Sequence, residues 1–132
     1  MKIIGLDVGD VWTGVAITDA LGLFARPFTT VKAVDLIPFL QEHIQKEQIK
    51  KIIMGYPITM RGTQSEQTKK VLAIKETLEK TFPNILFILQ DERLTSKQAA
   101  ELGHARSKQD KIKSHARAAA FILSNYLAFA RR

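Results

Sequence analysis

Two acidic residues stand in surroundings that are otherwise apolar. Asp7 lies between Leu6 and Val8 in the run KIIGLDV, and Glu92 follows ILFIL, with Asp91 before it and Arg93 after it. An unpaired carboxylate in such surroundings is costly and calls for a hydrogen-bond partner or a cation. If folding brought the two together at neighbouring strand ends, they would hold Mg²⁺ or Mn²⁺ through oxygen ligands. Such a pair aligns a water and a phosphodiester for in-line attack. Each acid also has a plainer explanation. Asp7 shortly precedes Gly9 and would cap a turn, while Glu92 alone would be a surface charge.

Cationic groups accompany the acids. Between Ala105 and Ala118 lie Arg106, Lys108, Lys111, Lys113 and Arg117 against the single acid Asp110. The segment Gly55 to Thr63 carries Arg61 and Gly62 after an apolar run, as a phosphate-contacting loop would. A charge run is often only a solvated face. Beside a metal site, however, phosphate-neutralising side chains are what a nuclease requires. The whole chain agrees in sign: 20 Lys and Arg against 13 Asp and Glu give a net charge of +7, which favours polyanionic partners.

The elements that must position these groups follow from periodicity. Residues 2–8 and 14–18 are β-branched runs around Gly9 to Thr13 and read as an antiparallel hairpin; a third strand is expected over 28–34. Asp35 opens a helical pattern with Leu36, Ile37, Phe39, Leu40 and Ile44 on one side, ending before a strand from Lys51 to Tyr56. Thr63 and Glu66 have capping-box spacing and open a helix through about Thr81. Ile85 to Leu89 is a short strand ending in Asp91 and Glu92. Thr95 and Gln98 repeat the capping-box spacing before a short helix. A last helix runs from about Lys111 to Ala130, with Ala119, Ile122, Leu123, Tyr126 and Phe129 on one stripe.

Three meandering strands followed by right-handed βαβ crossovers make a mixed five-stranded sheet flanked by helices, the ribonuclease H-like arrangement of an α/β fold. In such a sheet functional groups collect at the carboxyl ends of the strands, where Asp7 and Glu92 fall. At 132 residues without a linker or repeat, the chain reads as one domain, 1–132. The absence of cysteine excludes disulfides and thiolate metal sites. The apolar start meets Asp7 too soon for a signal-peptide core, and no stretch approaches a membrane span, so a cytoplasmic protein without a membrane partner is expected.

The segments GLDVGDVWTGVAITD, IIMGYPITMRGT, DERLTS and AAAFILSNYL, in this order and spacing, resemble the YqgF (RuvX-like) family over essentially the whole chain. Members of that family resemble RuvC-type Holliday-junction resolvases and are regarded as nucleases that process the precursor of the small-subunit ribosomal RNA. The resemblance implies that Asp7 is the first catalytic acid and Glu92 the second, with Arg93 and Thr95 in the flanking pattern. The family's third acid begins the final helix, three residues ahead of an Ala-Ala pair. Here that position is His115. The turn after Asp7 departs as well, with Val11 and Trp12 where a basic residue is common, which offers Trp12 as a stacking surface for a base.

An imidazole in place of a carboxylate lowers the ligand charge around a metal and shifts preference from Mg²⁺ toward Mn²⁺. Asp110 is no substitute, since five residues turn a helix by about 140°. His115 lies four before Ala119 and seven before Ile122, so it extends the buried stripe toward the sheet. The alternative for His115 is a partly buried, hydrogen-bonded histidine. Three functions remain open. The first is a metal-dependent nuclease acting on structured RNA, with branched DNA as the other substrate. The second is a nucleic-acid-binding module impaired in catalysis by His115. The third is an ATP-dependent enzyme opened by the same Asp-containing turn; that one needs two lobes, so ATP is not expected.

Overall fold

The structure, a computed structural model, describes residues 1–58, 66–93 and 108–131. Its strands are β1 (Ile4–Val8), β2 (Trp12–Thr18), β3 (Ala25–Lys32), β4 (Lys51–Ile58) and β5 (Leu86–Arg93). Its helices are α1 (Leu36–Lys46), reached through a 3₁₀ turn at Ala33–Asp35, α2 (Glu66–Thr81) and α3 (Lys108–Ala130). The strands form a five-stranded sheet in the order β3-β2-β1-β4-β5, in which β1 pairs antiparallel with β2 and parallel with β4. This is the ribonuclease H-like arrangement that the element order implies.

Alternation along the strands divides the apolar residues between two faces. Ile4, Leu6, Val8, Val15, Ile17, Ile52, Met54 and Phe87 form one core with Leu36 and Leu40 of α1 and Val71 and Leu78 of α2. Ile3, Ala16 and Ile53 meet Ala119, Ile122, Leu123 and Leu127 of α3 on the other. Asp7, between Leu6 and Val8, therefore belongs to the α3 face. So does Glu92, by the same alternation along β5.

Three glycines let α3 come down on that face. A Cβ on Gly14 would lie 1.9 Å from the His115 carbonyl oxygen. One on Gly5 would lie 2.9 Å from Leu123 Cβ, and one on Gly55 2.4 Å from Ile122 Cδ1. With Ala16 fully buried beside them, the strands present a smooth track to the helix.

Several boundaries differ from those the sequence suggests. β5 continues past Leu89 to Arg93 because its parallel ladder with β4 persists through Tyr56↔Asp91, Pro57↔Glu92 and Ile58↔Arg93. The acids are thus part of the strand, not beyond its end. β3 starts three residues early, and its pairing with β2 shifts register between Val15 and Ala16. Phe129, placed on the buried stripe by periodicity, is 64% exposed. At 1.5 Å per residue, 23 residues of helix outrun the strands beneath them, so the last turn of α3 passes the sheet. The capping residue Thr63 and the Thr95 to Gln98 helix lie outside the described residues.

The closeness of α3 over Gly14 gives the first prediction. Gly14→Val should destabilise the protein by about 2 kcal/mol or more, since backbone and not a flexible side chain blocks the new atoms. Gly22→Ala, in the β2–β3 turn, involves no contact with α3 and should leave α3 in place even though its φ of 70° makes it strained. Urea unfolding measures the first effect, and hydrogen exchange of α3 amides separates the two.

Candidate active site

Asp7 reaches its position because β1 is central in the sheet and its C-terminal turn is fastened from a third element. Gln67 Nε2 of α2 donates to the Val8 carbonyl at 2.7 Å, and Lys70 Nζ pairs with Asp10 Oδ1 at 2.7 Å. Gly9 permits the tight return, a Cβ there falling 2.5 Å from the Trp12 carbonyl oxygen. Asp7 stands opposite Gly14 in the hairpin, and the His115 backbone rests on Gly14. Helix packing therefore sets the imidazole beside the carboxylate. His115 Nδ1 lies 3.4 Å from Asp7 Oδ2, and the two side chains keep 29% and 31% of their exposure.

Glu92 shares the face but has a different partner. Asn125 of α3 donates its Nδ2 hydrogens to Glu92 Oε1 and Oε2 at 3.2 and 3.1 Å. Burial pushes the Glu92 carboxyl above its ordinary value of 4.5; the Asn125 amide opposes that rise and the neighbouring Asp91 charge adds to it. Ten residues of helix, about 15 Å, separate His115 from Asn125. The helix thus engages the two acids through two different side chains.

The Asp7 and His115 pair, one oxygen and one nitrogen donor side by side and open to solvent, fits one edge of a divalent cation's shell. Among the described residues no three His, Asp or Glu side chains converge into a metal cluster. Glu92, tied to Asn125, stands outside the Asp7 and His115 pair.

Of the cationic residues singled out by sequence, Lys113 and Arg117 are exposed on the first half of α3. They line a cavity of about 230 Å³ between that helix and β3. Lys108 and Lys111 belong to α3 and Arg93 ends β5, but their side chains lie outside the described residues, as do Arg61 and Arg106 altogether. Asn125 is the residue that sequence reading passes over. Its signal was an amide on an apolar stripe, between Ile122 and Tyr126, where a poor helix former has no local reason to sit.

Residues 1–129 match the family model described as "RuvX: Holliday junction resolvase". The chain belongs to the RuvX family. A relative from Thermoanaerobacter pseudethanolicus is 38% identical, with 96% of each chain aligned, and one from Rubrobacter xylanophilus is 33% identical over 96% of this chain and 91% of its own. Both carry the name "Putative pre-16S rRNA nuclease". The structure of T. thermophilus RuvC in complex with a Holliday junction substrate superposes with a TM-score of 0.60 over 99% of this chain and 96% of that one, at 18% identity, a likeness of fold. This RuvX chain is accordingly a phosphodiester hydrolase of the nuclease class. Among its described residues no helix is long and apolar enough to cross a membrane.

The raised Glu92 carboxyl ties stability to pH. Across the interval between its unfolded value and its higher folded value, the folded chain binds more protons than the unfolded one. Glu92 therefore favours the folded state at low pH, and that advantage is lost as pH rises through the interval. Glu92→Gln keeps an oxygen for Asn125 and removes the titration. Urea unfolding should find the variant gaining on wild type as pH rises from the ordinary carboxyl value of 4.5 through the raised folded value. A constant difference across that range would show that burial of Glu92 is unimportant.

Proposed function

We propose that this RuvX chain is a divalent-metal-dependent nuclease of structured nucleic acid, acting in maturation of precursor 16S ribosomal RNA. The observation that carries this reading is the contact of His115 with Asp7 at the end of β1, in a chain of this family. Asp7 and His115 are the groups that would hold the cation, and Glu92, across β4 from that pair, would line the reaction centre. A bound Mg²⁺ or Mn²⁺ would supply Lewis-acid stabilisation of phosphate charge and a more acidic water.

The chain's own residues account for the rest. Asp7 offers a carboxylate oxygen held in place by the central strand. Glu92, half-buried and kept oriented by two hydrogen bonds from Asn125, is a carboxylate whose proton affinity is raised by burial. Lys113 and Arg117, with Arg61, Arg93, Arg106, Lys108 and Lys111, neutralise phosphates and hold the substrate in register. The same chemistry would cut branched DNA, the substrate bound by the RuvC structure of like fold. We read the chain as one domain, 1–132, that works in the cytoplasm without ATP.

His115 favours a second reading, a binding module in which two carboxylates and an imidazole are too few to support turnover. Cleavage of structured precursor rRNA and of a four-way DNA junction, each with Mg²⁺ and with Mn²⁺, separates the readings. On the nuclease reading, Asp7→Asn lowers cleavage by roughly 100-fold or more with an unchanged melting temperature. Full cleavage by Asp7→Asn would remove Asp7 from the centre. His115→Asp should strengthen Mg²⁺ binding in calorimetric titration and raise Mg²⁺-supported cleavage. Equal Mg²⁺ and Mn²⁺ affinities in wild type and His115→Asp would sink the ligand role of His115 and leave the binding module.

A further inference from the structure

The groove between β3 and the first half of α3 is formed by an edge strand and a helix that stand slightly apart. Thr30 Oγ1 donates to the Ile112 carbonyl and holds them in register. Pro27, Thr29, Ile112 and Ala116 line it, and Lys113 and Arg117 stand at its margin. Among the described residues no acidic side chain contributes to the lining. Lys113 and Arg117 are four residues apart, so about 6 Å separates them along the helix axis, comparable to the reach between neighbouring phosphates of an extended strand.

The groove adjoins the proposed reaction centre. Ala116 directly follows His115 in the chain. Thr30 pairs with Gly14 and Gly14 with Asp7, which puts the groove two strand spacings, about 10 Å, from the carboxylate. Its size is the second constraint. At about 230 Å³ it is smaller than the roughly 300–1,000 Å³ of sites that engulf a drug-sized ligand. It accommodates a sugar and its phosphate, not a base-paired segment.

Building on the nuclease reading, we infer that this groove is a subsite for single-stranded polynucleotide flanking the cleaved bond, one or two nucleotides from it. The sugar's apolar face lies on Ile112, Ala116 and Pro27, and the flanking phosphates meet Lys113 and Arg117. The recognised chemistry is the sugar–phosphate backbone, which RNA and DNA share.

The chain has no cysteine, so Pro27→Cys, paired with Ala16 of the α3 face, introduces a unique thiol into the groove. Oligonucleotides carrying a tethered disulfide at successive positions around the cut, in RNA and in DNA form, report which nucleotide lies against it. Cross-linking should be confined to a window of one or two nucleotides on one side of the cut, and Glu76→Cys on α2 should give none. RNA-only or DNA-only cross-linking within that window supports the subsite and identifies its natural strand. In a binding titration with a single-stranded flank, Lys113→Ala with Arg117→Ala should lower the slope of log K against log salt by about 1.4. The fully paired substrate should change less, and so should the control Lys46→Ala with Lys50→Ala.

Failure to cross-link at Pro27→Cys, or a slope change no larger than the control's, would overturn the subsite while wild-type cleavage keeps the nuclease reading intact. A wild-type protein that neither binds nor cuts either substrate would overturn the nuclease reading and the subsite with it.

Discussion

A helix can descend onto a sheet only as far as the side chains between them allow, and in this protein that limit is set by glycine. Gly14 receives the backbone of His115, Gly5 receives Leu123 and Gly55 receives Ile122. Each contact would be closed by a single Cβ. The consequence is chemical as much as structural. A helix lifted by one methyl group would carry His115 away from Asp7, which is part of a strand and does not move with it. Around these glycines the core under α3 mixes small residues, Ala16 and Ala119, with Ile3, Ile53, Ile122, Leu123 and Leu127, while Ile4, Leu6, Ile52 and Met54 of β1 and β4 face α1 and α2.

The same helix imposes a division of labour. His115 engages Asp7 on β1, and Asn125, almost three turns later, engages Glu92 on β5. Both acids face α3, yet they are two strands apart in the sheet order, with β4 between them. Glu92 is half-buried and keeps its position through an amide that donates to both oxygens. An amide is well suited to this. It satisfies the carboxylate without adding charge, whereas a lysine there would add a cation beside the phosphate-facing site and an aspartate would repel Glu92.

Much of this was legible in the sequence because it rests on local pattern. The β-branched runs, the amphipathic stripes and the lone carboxylate in KIIGLDV depend on near neighbours, and they recover the sheet, its helices and Asp7. Strand ends were less legible. β5 extends through Glu92 because β4 supplies a ladder partner as far as Ile58, a pairing across about 35 residues that no local pattern announces. Phe129 was misplaced for a related reason: a helical stripe tells which face is apolar but not where the sheet below it stops. Asn125 was missed because its role exists only once α3 lies against β5. The contact of His115 with Asp7 depends equally on tertiary packing, and sequence pointed to it through family resemblance and stripe position, not through any property of histidine itself.

The basic character of the chain bears directly on what His115 implies. With imidazole neutral, the three candidate site residues carry two negative charges where three carboxylates would carry three. One fewer charge weakens the grip on a hard cation such as Mg²⁺, which is bound chiefly through anionic oxygen. It also reduces the repulsion met by an incoming phosphodiester, in a protein whose net charge of +7 already draws polyanions toward it. The two effects act on different steps. Substrate capture gains from the substitution, while cation retention loses, and a nitrogen donor recovers part of the loss only for softer ions such as Mn²⁺. On the proposed reading, the residue at 115 therefore sets a balance between holding the strand and holding the metal, and the cationic side chains of α3 act on the first of these alone.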